Sequence, residues 1–417
     1  MTLSRDTLHT STLPVNGVRL NASIDELARI GALPDGSVRR LAFSPEDIQA
    51  RQLVREWMRA VDMSVRVDAA GNLIGRYAGR EDLPALATGS HLDTVERGGR
   101  YDGVYGVLAG LELARSLHER GLRLRHPFEV IVFTDEENTI IGSKAMAGHA
   151  SRDANSYKVK DGTDIQTCLQ RLGGEWELLE TARRDRRDIA AFVELHVEQG
   201  SVLETAHCTI GVVEGIVCQQ RYEVTIEGQA NHAGTTPMPL RQDALVAAAR
   251  VVLAVDDLAR HLPGQQVATV GSLNVTPNAT NIVPGFVSLS VDIRDLSANH
   301  VEFIVARLQE RLEQIAADTQ TRISKQVRLR LEPTLAAAEI QNAIARSADR
   351  LGLKYCYLPS RAGHDAQEMG RFTDMGMIFV PSAAGISHAA SEYTSPEQCT
   401  QGANVLMQTI LQLDKRG

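Results

Sequence analysis

The chain predicts an α/β fold: a mainly parallel-sheet domain interrupted by an inserted ferredoxin-like α+β domain. Three observations carry that expectation. A length of 417 residues exceeds what one hydrophobic core usually organises, so two domains are the default. Apolar strands alternate with helices on both sides of the centre, the pattern of a largely parallel sheet. Between them the order becomes β-α-β-β-α-β, that of the split βαβ unit. The boundaries fall at 1–212 and 334–417 for the sheet domain and 213–333 for the insertion.

Taken in order, Asn21-Ala22-Ser23 is suited to cap a helix through Ile24 to Ile30, where apolar residues recur at helical spacing. Ser44-Pro45-Glu46-Asp47 opens a longer helix through Trp57 and Val61, with a capping hydroxyl, a first-turn proline and acids at the positive end. Val65–Asp68 and Asn72–Tyr77 read as a hairpin around Ala69-Ala70-Gly71. Ala85–Gly89 is a short apolar strand delivering Ser90, His91, Leu92 and Asp93, and Tyr101-Asp102-Gly103 precedes an apolar helix from Gly106. Phe128–Phe133 is a strand ending in Thr134-Asp135-Glu136-Glu137; Ala190–Leu195 runs into His196; Met377–Val380 leads to His388. In the insertion, strands at 222–226, 267–273, 286–293 and 327–331 surround helices near 240–258 and 299–315.

Composition narrows the class. Hydrophobic content of 43% and charged content of 23% are those of an ordinary globular protein, and a net charge of -8 gives no support to nucleic-acid binding. The five cysteines are scattered and never form a C-x-x-C pair, which suits a reducing cytoplasm. Met1-Thr2-Leu3-Ser4-Arg5-Asp6 lacks the basic-then-apolar pattern of a secretory signal, and no apolar run is long enough to span a membrane. A cytoplasmic location is the expectation.

The chemistry-bearing residues collect at strand ends, where open α/β sheets place their sites. They are His91, Asp102, Glu136, Glu137, His196 and His388. Singly, each has a bland alternative: a polar loop after a strand, a solvated acidic turn, a surface histidine. Together, three imidazoles and two carboxylates suffice for two metals sharing a bridging aspartate, with one carboxylate left as base. Successive side chains on an extended strand point opposite ways, so Glu136 and Glu137 cannot both serve one ion.

Gly89–Thr94, Tyr101-Asp102-Gly103, Asp135-Glu136-Glu137, Glu194–Gly200, Asn231–Met238, Asn281–Gly285, Gly363–Ala366 and Ser387-His388 resemble the amidase and carbamoylase branch of the M20 metallopeptidase-like family, in order and over nearly the whole chain. The resemblance implies a di-metal hydrolase domain and an inserted lid and dimerisation domain. It implies two divalent ions (Zn, Mn, Co or Ni), one held by His91 and His196, the other by Glu137 and His388, with Asp102 bridging. Glu136 would be the general base and Asp93 the carboxylate that orients His91. His232 would stabilise the transition state, often from the partner subunit of a homodimer, and Asn281 and Arg294 would bind substrate. Gln199, Gly363 and His364 match positions near the substrate. Arginine's planar fork suits a carboxylate; the alternative for Arg294 is a strand-end residue paired with Asp292 or Asp295. For His364 a structural hydrogen bond is the competitor.

The implied activity is metal-dependent cleavage of a linear amide or ureido C–N bond in a small carboxylate-bearing molecule such as an N-carbamoyl-L-amino acid. The alternatives are an allantoate or ureidoglycolate amidohydrolase, a di-metal peptidase or aminoacylase, and a binder of small ligands without turnover. Two departures bear on substrate. Asn138–Ser143 is shorter than the family's stretch there and lacks its arginine, and Arg361 stands where a small residue is usual.

Overall fold

A computed structural model describes residues 13–415; the N-terminal segment read for a secretory signal lies outside them. The chain forms two compact units, one from residues up to Gly215 together with Leu335 onward, the other from Ile216–Thr334. The strands in chain order are β1 (Ser64–Val67), β2 (Leu73–Tyr77), β3 (Ala85–His91), β4 (Phe128–Phe133), β5 (Ile189–Val197) and β6 (Ile210–Ile216). Next come β7 (Cys218–Glu227), β8 (Asn231–His232), β9 (Val267–Thr276), β10 (Ile282–Val283), β11 (Phe286–Asp295) and β12 (Arg322–Leu331). β13 (Thr334–Leu335), β14 (Tyr355–Ser360) and β15 (Asp374–Val380) complete the set.

The larger unit is built on a nine-stranded sheet ordered β1-β2-β4-β3-β5-β15-β6-β13, with β14 also paired to β6. Its centre, β4-β3-β5-β15, is parallel, and antiparallel pairs flank it. Every residue of β3 and β4 is buried, as expected of strands covered on both faces, which read as near-continuous apolar runs. The helices Val104–Glu119 and Pro396–Leu413 contribute Val107, Leu108, Leu111, Leu406 and Ile410 to the same core.

Helix starts follow side-chain chemistry. Ser44 accepts the Asp47 N–H at the head of Pro45–Arg59. The first helix differs from the expectation: it spans Gly17–Ala28 and is capped by Asn16, whose side chain accepts the Arg19 N–H. Asn21 lies inside it and donates back to the Gly17 carbonyl. Asn16 and Asn21 are equivalent by propensity, and only the first leaves Leu20, Ile24 and Leu27 on one buried face.

The smaller unit is a four-stranded antiparallel sheet ordered β12-β7-β11-β9, with helices Ala244–His261 and Ala298–Thr319 packed on it. Its strand and helix order is β-α-β-β-α-β, the ferredoxin-like arrangement. β11 alternates between buried and more exposed positions, so Val287, Leu289, Val291 and Ile293 meet Val251, Ile304 and Leu308 in a separate core. No helix among the described residues is long and apolar enough to cross a membrane.

Candidate metal centre

The four parallel strands deliver their side chains at adjacent carboxyl ends. His91 closes β3, Glu136 and Glu137 follow β4, His196 is near the end of β5, and His388 lies in the loop after β15. Asp102 comes from the turn between β3 and the helix Val104–Glu119. Gly103 must be glycine: its φ is +65°, and a Cβ there would stand 2.4 Å from His91 Nε2.

The two oxygens of Asp102 face different partners. Oδ1 lies 3.2 Å from His196 Nε2 and 3.8 Å from His91 Nε2, whereas Oδ2 lies 3.0 Å from His388 Nε2. His388 Nε2 is in turn 3.6 Å from Glu137 Oε1. Two sets of possible metal-holding atoms therefore share one carboxylate: His91, Asp102, His196, and Asp102, Glu137, His388. Glu136 belongs to neither set, and its Oε2 is 3.5 Å from His91 Nε2. The adjacent glutamates diverge because the chain has just turned at Asp135, where φ is +57°.

The donor chemistry fits divalent cations. His91 Nδ1 lies 2.9 Å from the Asp93 carbonyl oxygen and His196 Nδ1 lies 2.8 Å from the Val197 carbonyl oxygen. A carbonyl only accepts, so each Nδ1 carries a proton, and in the neutral ring, the form that binds a metal, the lone pair is on Nε2. The Gly103 N–H pointing at His196 Nε2 from 3.2 Å agrees with that tautomer. The contact that orients His91 is thus the main-chain oxygen of Asp93. Its carboxylate stands 3.9 Å off and accepts the Glu137 N–H instead, at 3.1 Å.

The electrostatics suit the same purpose. Burial, then Asp365 and Glu137, pushes the Glu136 carboxyl well above the usual carboxylate range. Burial likewise lifts Glu137 to about 7. Burial works against the charge on Asp102, yet hydrogen bonds from His196 and His388 hold it well below the usual value. Burial disfavours a proton on His196 and Asp102 restores it, to about 9; the hydrogen bond to Asp102 likewise lifts His388 to about 9.

Other predicted residues take distinct places. The Gln199 side-chain amide donates to Asp102 Oδ2 at 3.0 Å. His364 is buried with its ring against His196, centroids 4.6 Å apart, and Nε2 is 2.9 Å from Ser360 Oγ. Gly363 precedes it at an exposed position, with Gln367 Oε1 3.9 Å from where a Cβ would stand. In the smaller unit, β8 pairs with β10 and sets His232 opposite Ile282, beside Asn281. His232 is exposed, and its Nδ1 accepts the N–H groups of Gly234 and Thr235, which leaves the proton on Nε2. Arg294 pairs with Asp292, at 3.0 Å from Nε to Oδ1.

Three supporting residues have no role assigned from the sequence. Glu194, fully buried, accepts from Ser90 Oγ at 2.8 Å and from the Ala366 N–H at 2.9 Å, tying β3 to the segment after His364. Glu392 accepts the N–H groups of Tyr101 and Asp102, and Ser387 lies between Glu392 and Asp102. Glu194 and Ser387 stand inside stretches that carry the family resemblance; for Glu392 no periodicity or motif gave a signal.

Comparison with known proteins follows the same lines. Residues 87–412 match the family described as peptidase family M20/M25/M40. An N-carbamoyl-L-amino acid amidohydrolase of Geobacillus stearothermophilus is 38% identical over 96% of this chain and 99% of its own. An allantoate amidohydrolase of Bacillus subtilis is 35% identical over 94% of this chain and 96% of its own. A crystal structure of an amidase of the hydantoinase/carbamoylase family from Burkholderia multivorans superposes with a TM-score of 0.90 at 38% identity, covering 96% of this chain and 98% of that one.

Proposed function

The chain belongs to peptidase family M20/M25/M40, and we propose that within it this protein is a two-metal amidohydrolase releasing ammonia from a small N-carbamoyl-L-amino acid. Hydrolysis of a non-peptide C–N bond is the activity named in its similar relatives. The observation that carries the two-ion reading is Asp102, whose oxygens each face a separate histidine-bearing ligand set.

In this reading His91 and His196 hold one ion, Glu137 and His388 the other, and Asp102 both. Bound divalent ions supply a water of lowered pKa and polarise the ureido carbonyl. Glu136 accepts the water's proton and returns it to the departing nitrogen; its raised proton affinity suits both halves of that task. His232 offers an Nε2–H donor to charge developing on the carbonyl oxygen, Asn281 supports it, and Arg294 takes the substrate carboxylate by exchanging its bond to Asp292. Gln199, Gly363 and His364 line the reacting group. Zn, Mn, Co and Ni all suit nitrogen and carboxylate ligands.

The inserted unit also acts as lid and homodimer contact in this proposal, and the enzyme works in the cytoplasm. Allantoate and ureidoglycolate share the ureido group and the carboxylate, and the relatedness to an allantoate amidohydrolase favours them as the second reading. Ammonia release from a panel of N-carbamoyl-L-amino acids, allantoate and ureidoglycolate, before and after chelation and metal return, tests the proposal. No ammonia from any ureido compound, with two ions demonstrably bound, overturns it.

A further inference from the structure

We infer that Glu392 is a positioning residue that fixes Asp102 and His388 as a pair, an inference that rests on the two-ion reading above. Glu392 is 4% exposed and has no place in either ligand set. Its Oε1 accepts the main-chain N–H of Tyr101 at 2.9 Å and of Asp102 at 3.1 Å. Its Oε2 lies 3.0 Å from Ser387 Oγ, which is itself 3.2 Å from Asp102 Oδ2. One buried carboxylate thus joins the backbone bearing the shared ligand to the residue preceding His388.

Two further features point the same way. Gly99 leaves room for this carboxylate: a Cβ there would stand 2.1 Å from Glu392 Oε1 and 2.2 Å from Cδ. The loop 381–394 is closed at its base, Ala383 N–H to Tyr393 oxygen at 2.8 Å and Thr394 Oγ1 to Pro381 oxygen at 2.9 Å. Glu392 is therefore presented from a fixed frame, while His388 sits on the same loop at φ +53°. What the seat requires is an acceptor toward the two N–H groups and a polar atom toward Ser387. Glutamine supplies both, and alanine supplies neither.

The test measures Mn²⁺ binding by equilibrium dialysis and metal analysis for the wild type, E392Q, E392A and S387A, with melting followed in chelator. The wild type should take two ions. E392Q should keep both within about fivefold of wild-type affinity. E392A should keep the first and bind the ion at His388 about 10- to 100-fold more weakly, the usual cost of removing a residue that supports a ligand. S387A should weaken the same ion by about 3- to 10-fold, on the same grounds. E392A with both affinities unchanged overturns the inference, as does an E392Q that loses the ion as fully as E392A. Should E392A not fold, S387A decides, and an unchanged second ion there overturns it. A wild type that binds fewer than two ions rejects the two-ion reading itself, whereas two ions held with wild-type affinity in every variant reject only the role of Glu392.

Discussion

Replacing Arg40 with methionine tests how the strand that carries His91 is held. Arg40 is fully buried with no carboxylate among the described residues in hydrogen-bond contact, and burial lowers its pKa to about 10, so it remains a cation at neutral pH. Its Nε donates to the Leu92 carbonyl at 2.6 Å, and Nη1 donates to those of Ile30 at 2.9 Å and Leu27 at 3.2 Å. Methionine fills much of the volume and strands these acceptors. The Leu27 oxygen keeps the Ile30 N–H, at 3.1 Å, so two carbonyls lose the donor supplied here. At ~1–3 kcal/mol for each stranded buried group, less the relief from no longer burying a cation, the net loss is about 3 kcal/mol. For a unit of roughly 300 residues, unfolding entropy near 2.1 cal/mol/K per residue converts that to about 5 °C in Tm. Calorimetry in chelator should find the drop. Arg40→Lys, a point charge without the planar fork, should recover less than half of it. A methionine variant melting within about a degree of wild type would refute the account, because the carbonyls would then have found other donors.

The remaining predictions concern the centre itself. Glu136→Gln should leave both ions bound and lower kcat by about 10²- to 10⁴-fold, the usual contribution of a general base; near-normal turnover excludes Glu136 from that role. Arg294→Ala should raise KM for carboxylate-bearing substrates with metal content unchanged, and unaltered kinetics would confine Arg294 to its pairing with Asp292. Metal uptake should weaken as pH falls. His196 and His388, both lifted to about 9, hold protons below that pH that a metal must displace. Between pH 8.5 and 6.5 each displaced proton costs about 100-fold in apparent affinity. A flat profile over that range means that protons and metal do not compete there.

Much of this architecture is written in local pattern. The central parallel strands were legible because β4 is apolar apart from Glu129, the smaller antiparallel sheet because β11 alternates, and the start of Pro45–Arg59 because Ser44 and Pro45 are unambiguous. The converging histidines and carboxylates were legible because strand ends are where an α/β sheet concentrates polar groups. The helix Pro396–Leu413 went unread although Ser395 and Gln398 form a capping box at its start. The rest was out of reach for a physical reason. Glu392 meets Tyr101 and Asp102 only after the chain has folded back across 291 and 290 residues, and nothing local marks that meeting. Arg40 reads as a surface residue by type, and its burial depends on three carbonyls from two segments. For His91 the motif suggested the neighbouring carboxylate as orienting group, whereas the fold supplies the same residue's carbonyl, since the carboxylate is turned to the Glu137 N–H.

Asp135, Gln199 and His388 all hold left-handed backbone, with φ of +57°, +58° and +53°. Each such residue costs of order 1 kcal/mol or more, and the folded surroundings must keep supplying it. For anyone altering this protein's substrate range, that divides the neighbourhood into two kinds of position. At ordinary backbone a randomised library samples side chains alone. At these three it also samples conformations, and every β-branched member is handicapped before any substrate arrives. Asparagine and glycine are the informative first substitutions there, because they separate what the side chain does from what its backbone allows.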